Sequence, residues 1–468
     1  MTLAPPRTGA LRRAALLPVL GLGAIVVSCM QALVVPAVDA IARDLAISTS
    51  AATWAVTINL LACAVLTPVL GRLGDLHGRR RLMAVAIGAC LAGSLLAALT
   101  SSFALLLLAR VLQGASGAVF PLAIGIVRDE REGPSVTRTT AVVSGMLSFG
   151  AGVGLVACGL LTVDGGDYHR VFWFATIVSA VTLAGVWWAI PHRAAPGGNG
   201  RLDYAGAVIL AGGLLLVLLA LTEAPAWGLG SPRFVACLAA GLAVLAVWLW
   251  WERRVPAPLV DPVMLADRPV LVTNLAGLFV GLANFTCFLG VVRLVQSPGG
   301  DGLPGFDASV LTTALVFLLP GTIGSAIAAQ LGGELVHRFG PRRTLAAAGL
   351  LGAAGFAGLA TIPPEAWVIV ACTIVVLSSV SIAYAAMPML LMAATHARDT
   401  AVANAMNSIA RWVGGALGSA LVVSVLASEA TPPPTAFAAV FLLAGAGCAA
   451  SVLLVLRGLP HLPTPNPT

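Results

Sequence analysis

Gly71-Arg72-Leu73-Gly74-Asp75-Leu76-His77-Gly78-Arg79-Arg80-Arg81 lies between two long apolar runs. Its pattern returns far down the chain as Gly333-Glu334-Leu335-Val336-His337-Arg338-Phe339-Gly340-Pro341-Arg342-Arg343. Both stretches read G-x-L-x-x-x-x-G-x-R-R. A repeated connector implies a repeated half, and membrane transporters are often built from such halves with the substrate site between them.

Outward from these connectors the chain is apolar. Of 468 residues, 59% are hydrophobic and 10% charged, against about 25% charged in an ordinary soluble domain. A soluble surface could not be covered with so little charge, whereas a lipid-facing one needs none. Runs long enough to span a bilayer lie at 14–40, 51–70, 82–100, 102–127, 137–162, 170–190, 203–222, 233–251, 269–294, 307–332, 343–361, 364–391, 400–427 and 435–456. Only helices can satisfy their own backbone in such runs. The expected fold is therefore an all-α membrane protein of about 14 transmembrane helices at 1.5 Å rise per residue. Residues 1–192 form one six-helix half, 193–254 two inserted helices, and 255–468 a pseudo-symmetric second six-helix half.

Charge placement supports that count. Every basic residue among the 26 is Arg. With a cytoplasmic N-terminus, twenty of these fall in inside segments, four at outside ends (Arg43, Arg170, Arg233, Arg293), and Arg110 and Arg411 within spans. This is the positive-inside pattern with both termini cytoplasmic, in a cell (inner or plasma) membrane. Arginine scattered between spans is not the clustered basic face of a nucleic-acid binder, so no nucleic-acid partner is expected. Without Lys there is no Walker loop, and hence no ATPase domain of that type. Val26-Val27-Ser28-Cys29 resembles a lipoprotein cleavage site, but the apolar run continues to about Val38, so it reads as span one. The eight cysteines sit inside apolar runs as small hydrophobes, and no metal site is expected. The six histidines lie in loops or at span ends, and no nucleophile–base set is visible, which argues against an enzyme.

On these residues the chain resembles the major facilitator superfamily, and more narrowly its 14-span drug:proton antiporter branch. The connector pattern is carried by Gly71, Leu73, Asp75, Gly78, Arg79 and Arg80, with Gly340, Arg342 and Arg343 in the second copy. The resemblance implies a conformational latch between the halves, in which Asp75 pairs with a basic group or caps a helix. In the second copy His337 stands where Asp75 stands in the first. Span four holds Arg110-Val111-Leu112-Gln113-Gly114, the branch's R-x-x-Q-G, and Arg110, Gln113, Gly114 and Gly117 share one helix face. The resemblance assigns Arg110 to proton coupling, with an acid in span one as its partner. Here span one offers only Gln31 at that depth, expected to hydrogen-bond Arg110, and Asp39 about two turns further out as the proton-linked acid. Span five keeps Gly150, Gly154 and Gly159 of the branch's glycine pattern, as helix-packing positions. Leu155 and Cys158 replace its Pro and one Gly.

The remaining polar groups within spans, Asn59, Asn284, Tyr384, Asn407 and Arg411, join Gln113 as candidate substrate-cavity residues, because polar groups in a membrane interior are costly and tend to be functional. By resemblance spans one, four, nine and twelve line that cavity. The implied function is a secondary active transporter, acting as a monomer, that exports small hydrophobic or amphipathic compounds by alternating access. It would use no cofactor and draw on the proton gradient. Two alternatives stay open: an importer or exchanger of a specific small metabolite on the same fold, and a non-transporting membrane scaffold.

Overall fold

In the computed structural model of the chain, the Gly71–Arg81 connector is mostly helix. The structure describes residues 7–34, 37–161, 167–192, 203–228, 230–300, 303–362, 365–426 and 432–459. Helix α1 (Arg7–Ala32), the short α2 (Val38–Asp44) and α3 (Thr49–His77) open the chain. Ser48 starts α3 by accepting from the Ala51 amide at 3.1 Å, a side-chain N-cap. The helix then runs to His77, so Gly71–His77 are its last turns rather than the loop expected from sequence. The turn is Gly78 alone, at φ 101°, a conformation L side chains rarely adopt. Span one differs from expectation as well: it stops at Ala32, and Val38–Asp44 forms a separate helix.

Next come α4 (Arg79–Leu99), α5 (Phe103–Gln113), a 3-10 stretch Gly114–Ala118, and α6 (Val119–Glu130). The 3-10 stretch, Gly-Ala-Ser-Gly-Ala, is buried throughout. It lies so close to α3 that a Cβ on Gly114 would overlap Ala62. Helices α7 (Pro134–Leu161) and α8 (His169–Ala189) follow, with α1 packing on α7 and α4 on α8. Residues 1–200 and the stretch Ala397–Ala401 form the first compact unit. One end of this unit is tied by the Tyr168 hydroxyl, which donates to Thr100 O at 2.6 Å, and by the Tyr168 amide, which donates to Asp44 at 3.2 Å. Burial and the charges of Asp167 and Asp44 push the Tyr168 hydroxyl up to about 12. Partial burial alone would raise Asp167, but hydrogen bonds from His169 and the nearby Arg170 hold it below the usual carboxylate range.

The second unit spans Arg201–His396 and Val402–Thr468. It contains α9 (Tyr204–Trp227), α10 (Pro232–Glu252), the short α11 (Pro262–Ala266) and α12 (Arg268–Gln296), then a two-residue hairpin pairing β1 (Gly299–Gly300) with β2 (Leu303–Pro304). A helical turn α13 (Val310–Thr312) passes through a π segment, Thr313–Leu318, into α14 (Leu319–Phe339). Pro320 has no N–H to return to the preceding turn, and the ladder widens just before it. After α14 the second connector again turns on one residue, Gly340 at φ 79°, with Pro341 at the first position of α15 (Pro341–Ala360). The chain closes with α16 (Ala366–Ala394), α17 (Thr400–Leu426) and α18 (Pro434–Gly458).

Among the described residues thirteen of these helical segments are long and apolar enough to cross a bilayer, and α1 adds a shorter apolar helix, Ala15–Gln31. Unpaired strands are absent among the described residues, and the expected all-α fold holds. Small residues set the closest contacts. Where α12 meets α17, a Cβ on Gly281 would enter the backbone of Arg411, and one on Gly414 would enter the backbone of Leu278. In lipid such close approach replaces the hydrophobic effect as the force between helices.

This contact makes a sharp prediction. Gly281→Leu should cost about 3 kcal/mol or more through overpacking and should lower the melting temperature of the detergent-solubilised protein. Gly88→Ala, where an added Cβ meets nothing within 4 Å, should be neutral or slightly stabilising, by up to about 1 kcal/mol. A melt in which both variants match the parent would show that the α12–α17 contact is loose.

Candidate functional site

Three arginines organise the polar interior. The first is Arg79, opening α4 directly after Gly78, with a side chain 2% exposed. Its Nε and Nη2 donate to Asp75 at 2.9 and 2.7 Å, one turn back on α3. Its Nη1 donates to Asp129 at 2.7 Å and to Gly125 O at 3.0 Å, both on α6. Nη2 also reaches Ala397 O at 2.6 Å. Gly125 is required for this geometry, since a Cβ there would lie 2.5 Å from the Arg79 Nε. Two further ties reach the same Ala397–Ala401 stretch: Arg72 to Asp399 at 3.2 Å, and Arg128 to the Thr400 hydroxyl. Arg80 turns away, donates to Trp187 O at 2.7 Å and stacks on the Trp187 ring.

Asp75, Gly78 and Arg79 are thus brought together as the motif implied. Gly71 and Leu73 lie on α3 leading into them. Asp129, Gly125 and Asp399 were missed. Asp129 and Asp399 carry a signal, being acids beside arginines at span ends in Val127-Arg128-Asp129 and Ala397-Arg398-Asp399. The second connector does something different. Arg342 donates to the last-turn carbonyls of α18, Val455 O and Leu456 O, as a helix C-cap. Arg343 is exposed, and Glu334 pairs with Arg338 at 2.6 Å on the surface. The Gly340 turn is shared, whereas the buried ion pair is not.

The second arginine is Arg110, fully buried on α5. Nε donates to Ala55 O of α3 at 2.7 Å. Nη1 donates to Gln113 Oε1 at 2.5 Å, and both terminal nitrogens reach Met30 O of α1 at 3.3 Å. Met30 lies in the last turn of α1, where carbonyls lack intrahelical partners. Gln113 passes the network to Ser94 Oγ at 2.9 Å. Asn59 donates to Arg110 O at 3.0 Å, while its Oδ1 is buried without a hydrogen-bond partner. The expected Gln31–Arg110 hydrogen bond does not form. The guanidinium is taken up by backbone carbonyls and Gln113, and Gln31 lies against the Cys63 thiol instead. The side chain of Asp39 lies outside the described residues. Gly114 and Gly117 are buried in the 3-10 stretch beside Arg110. On α7, Gly150 abuts Ile25 and Ser28 of α1, and Gly154 and Gly159 are buried further along.

The third arginine, Arg411, belongs to the second unit. It donates to the Asn407 side-chain oxygen one turn back and to Ser408 Oγ at 2.8 Å, with its guanidinium 4.9 Å from the Tyr384 ring centre. A cation over an aromatic face is attractive, by about 2 kcal/mol when desolvated. Asn407 in turn donates to Thr273 O at 3.1 Å and Asn274 Oδ1 at 3.3 Å on α12. The structure therefore gathers Tyr384, Asn407 and Arg411. Asn284, half-buried, stands about 15 Å further along α12 than Asn274 at helical rise.

Comparison with known proteins fits this arrangement. Residues 20–419 match the family model of the Major Facilitator Superfamily. The chain is 32% identical over 402 residues to the puromycin resistance protein of Streptomyces alboniger, covering 83% of this chain and 77% of that protein. It is 28% identical over 415 residues to the tetracenomycin C resistance and export protein of Streptomyces glaucescens, covering 87% of this chain and 74% of that one. The crystal structure of the human organic anion transporter MFSD10 aligns with a TM-score of 0.64 over 97% of this chain and 100% of that one, at 18% identity, a likeness of fold alone. With the family model covering most of its length, and thirteen spanning helices and a shorter apolar one among the described residues, this multi-pass membrane protein belongs to the Major Facilitator Superfamily of transporters.

Proposed function

We propose that the protein exports small hydrophobic or amphipathic compounds across the plasma membrane by alternating access of two six-helix halves. In this reading residues 193–254 are an inserted helix pair, both termini are cytoplasmic, and the working form is a monomer. The observation that carries the reading is the buried cluster around Arg79. An ion pair out of water is stable only while every partner is in place, and removing one costs about 3–5 kcal/mol. One acceptor is Ala397 O, on the stretch that leads into α17. Movement of that stretch would have to break the cluster, which is how a latch works. The two Streptomyces relatives, named for antibiotic resistance and export, support outward transport of drug-like compounds.

For energy we propose the proton gradient, with Asp39 as the proton-linked acid. Arg110 then serves as a tie between α1, α3 and α5, close to the site but not itself exchanging protons. Gln113, Asn59, Asn284, Tyr384, Asn407 and Arg411 are the proposed substrate contacts, offering neutral hydrogen-bonding groups and one cation among apolar walls.

Expression in an efflux-deficient host should lower accumulation of hydrophobic dyes and antibiotics. A broad panel on which it has no effect would sink the export reading, and saturable inward movement of one solute would favour a specific importer. Arg79→Ala and Asp129→Asn should each cut export about tenfold at unchanged membrane abundance, in line with coupling energies of about 1–3 kcal/mol; full activity in both removes the latch. Asp39→Asn should export without dependence on a pH gradient, and retained dependence excludes Asp39 as the coupling acid. Arg110→Ala would leave the Met30 and Ala55 carbonyls short of donors, at about 1–3 kcal/mol each. A lowered melting temperature is the expected result, and a normal melt with lost transport would instead make Arg110 a coupling residue.

A further inference from the structure

The α9–α10 pair holds a buried acid that none of the roles above uses. Glu252, the last residue of α10, is 1% exposed. Trp248, one turn earlier, donates its indole N–H to Glu252 Oε1 at 2.9 Å. The Leu259 and Val260 amides approach the same carboxyl, yet Oε2 is buried with no hydrogen-bond partner of good geometry among the described residues. Facing it is Asp203, the N-cap of α9. Asp203 accepts from the Gly206 amide at 2.9 Å through Oδ1 and from the Trp251 indole at 2.8 Å through Oδ2.

The two carboxyls converge over Gly206. A Cβ at that position would lie 2.5 Å from Asp203 Oδ2 and 2.6 Å from Glu252 Oε1. Those distances bound the separation of the two oxygens at about 5 Å, a range at which two carboxylates oppose each other's ionisation. Among the described residues, Asp203 is the charged group that faces Glu252. Arg253 is exposed, Arg254 lies 3.9 Å from the Trp250 ring centre, and Asp261 is engaged in capping α11 through the Val263 amide at 2.8 Å.

We propose that Asp203 and Glu252 form a proton-binding site at one end of α9–α10, in which Glu252 takes up one proton beside the charge of Asp203. The proton converts one carboxylate to a neutral acid, removes the repulsion across Gly206 and, on Glu252, weakens the hold on the Leu259 and Val260 amides of the 253–261 segment that leads into α12. The site thereby sets a pH dependence separate from any proton carried with substrate.

Trp248 and Trp251 are built-in reporters, because their indole N–H groups donate directly to these carboxyls. Indole emission of the purified full-length protein should be followed across the pH range that brackets carboxylate and histidine titration. Wild type should show an emission step. Glu252→Gln, which keeps the Trp248 acceptor, should abolish it. Asp203→Asn, which removes the opposing charge, should move the step down by about one pH unit, a tenfold change in proton affinity. The same substitutions should flatten or shift the pH profile of transport. A step unchanged in Glu252→Gln overturns the proposal. If that variant cannot be purified, an unmoved midpoint in Asp203→Asn overturns it equally. The emission readout needs no substrate, so it stands or falls apart from the export reading.

Discussion

A guanidinium out of water must find an acceptor for each N–H it presents, and much of this protein's interior is arranged around that demand. Arg79 meets it with two carboxylates and two backbone carbonyls. Arg110 meets it with an amide side chain and two carbonyls from neighbouring helices. The difference in partners is a difference in mechanics. Carbonyls belong to rigid helices, so Arg110 locks α1, α3 and α5 to one another. The Arg79 partners include Ala397 O, on a segment whose chain continues into α17. Desolvation makes both sites costly to break, and only Arg79 has a partner on the Ala397–Ala401 stretch.

Glycine makes these arrangements possible at a few points where nothing larger fits. Gly125 leaves room for the Arg79 guanidinium, Gly114 for the backbone of α3, and Gly281 and Gly414 for the α12–α17 contact. Gly78 and Gly340 have a separate task, turning the chain in one residue at positive φ. Both connectors keep that turn, yet only the first places an acid where burial protects it. Glu334 in the second copy is on the surface. The backbone device is repeated, and the buried charge pair is not.

The helical membrane fold was legible because composition and apolar run length report directly on the solvent a segment faces. The connector motif pointed to Asp75 and Arg79, since an acid in a basic stretch has a nearby partner. Helix boundaries were less legible. The last turns of α3 are as polar as a loop, and their helicity comes from packing and from Gly78 as a stop, so a hydropathy window ends too early. Acceptors on the backbone, such as Met30 O, Ala55 O and Ala397 O, have no sequence signature at all. For that reason Gln31 looked like the natural partner of Arg110, when a helix-end carbonyl one residue earlier takes the bond.

The π segment at Thr313–Leu318 carries a consequence of its own. A turn closed by i→i+5 bonds holds one residue more than an α turn closes around. Everything beyond it, from Leu319 to Phe339, is therefore rotated about the helix axis by about 100° relative to an unbroken helix. The face that α14 shows to α16 is the product of that single surplus residue. In evolutionary terms the segment is a one-residue phase shifter, at which an insertion or deletion would re-aim a whole transmembrane helix without altering its composition.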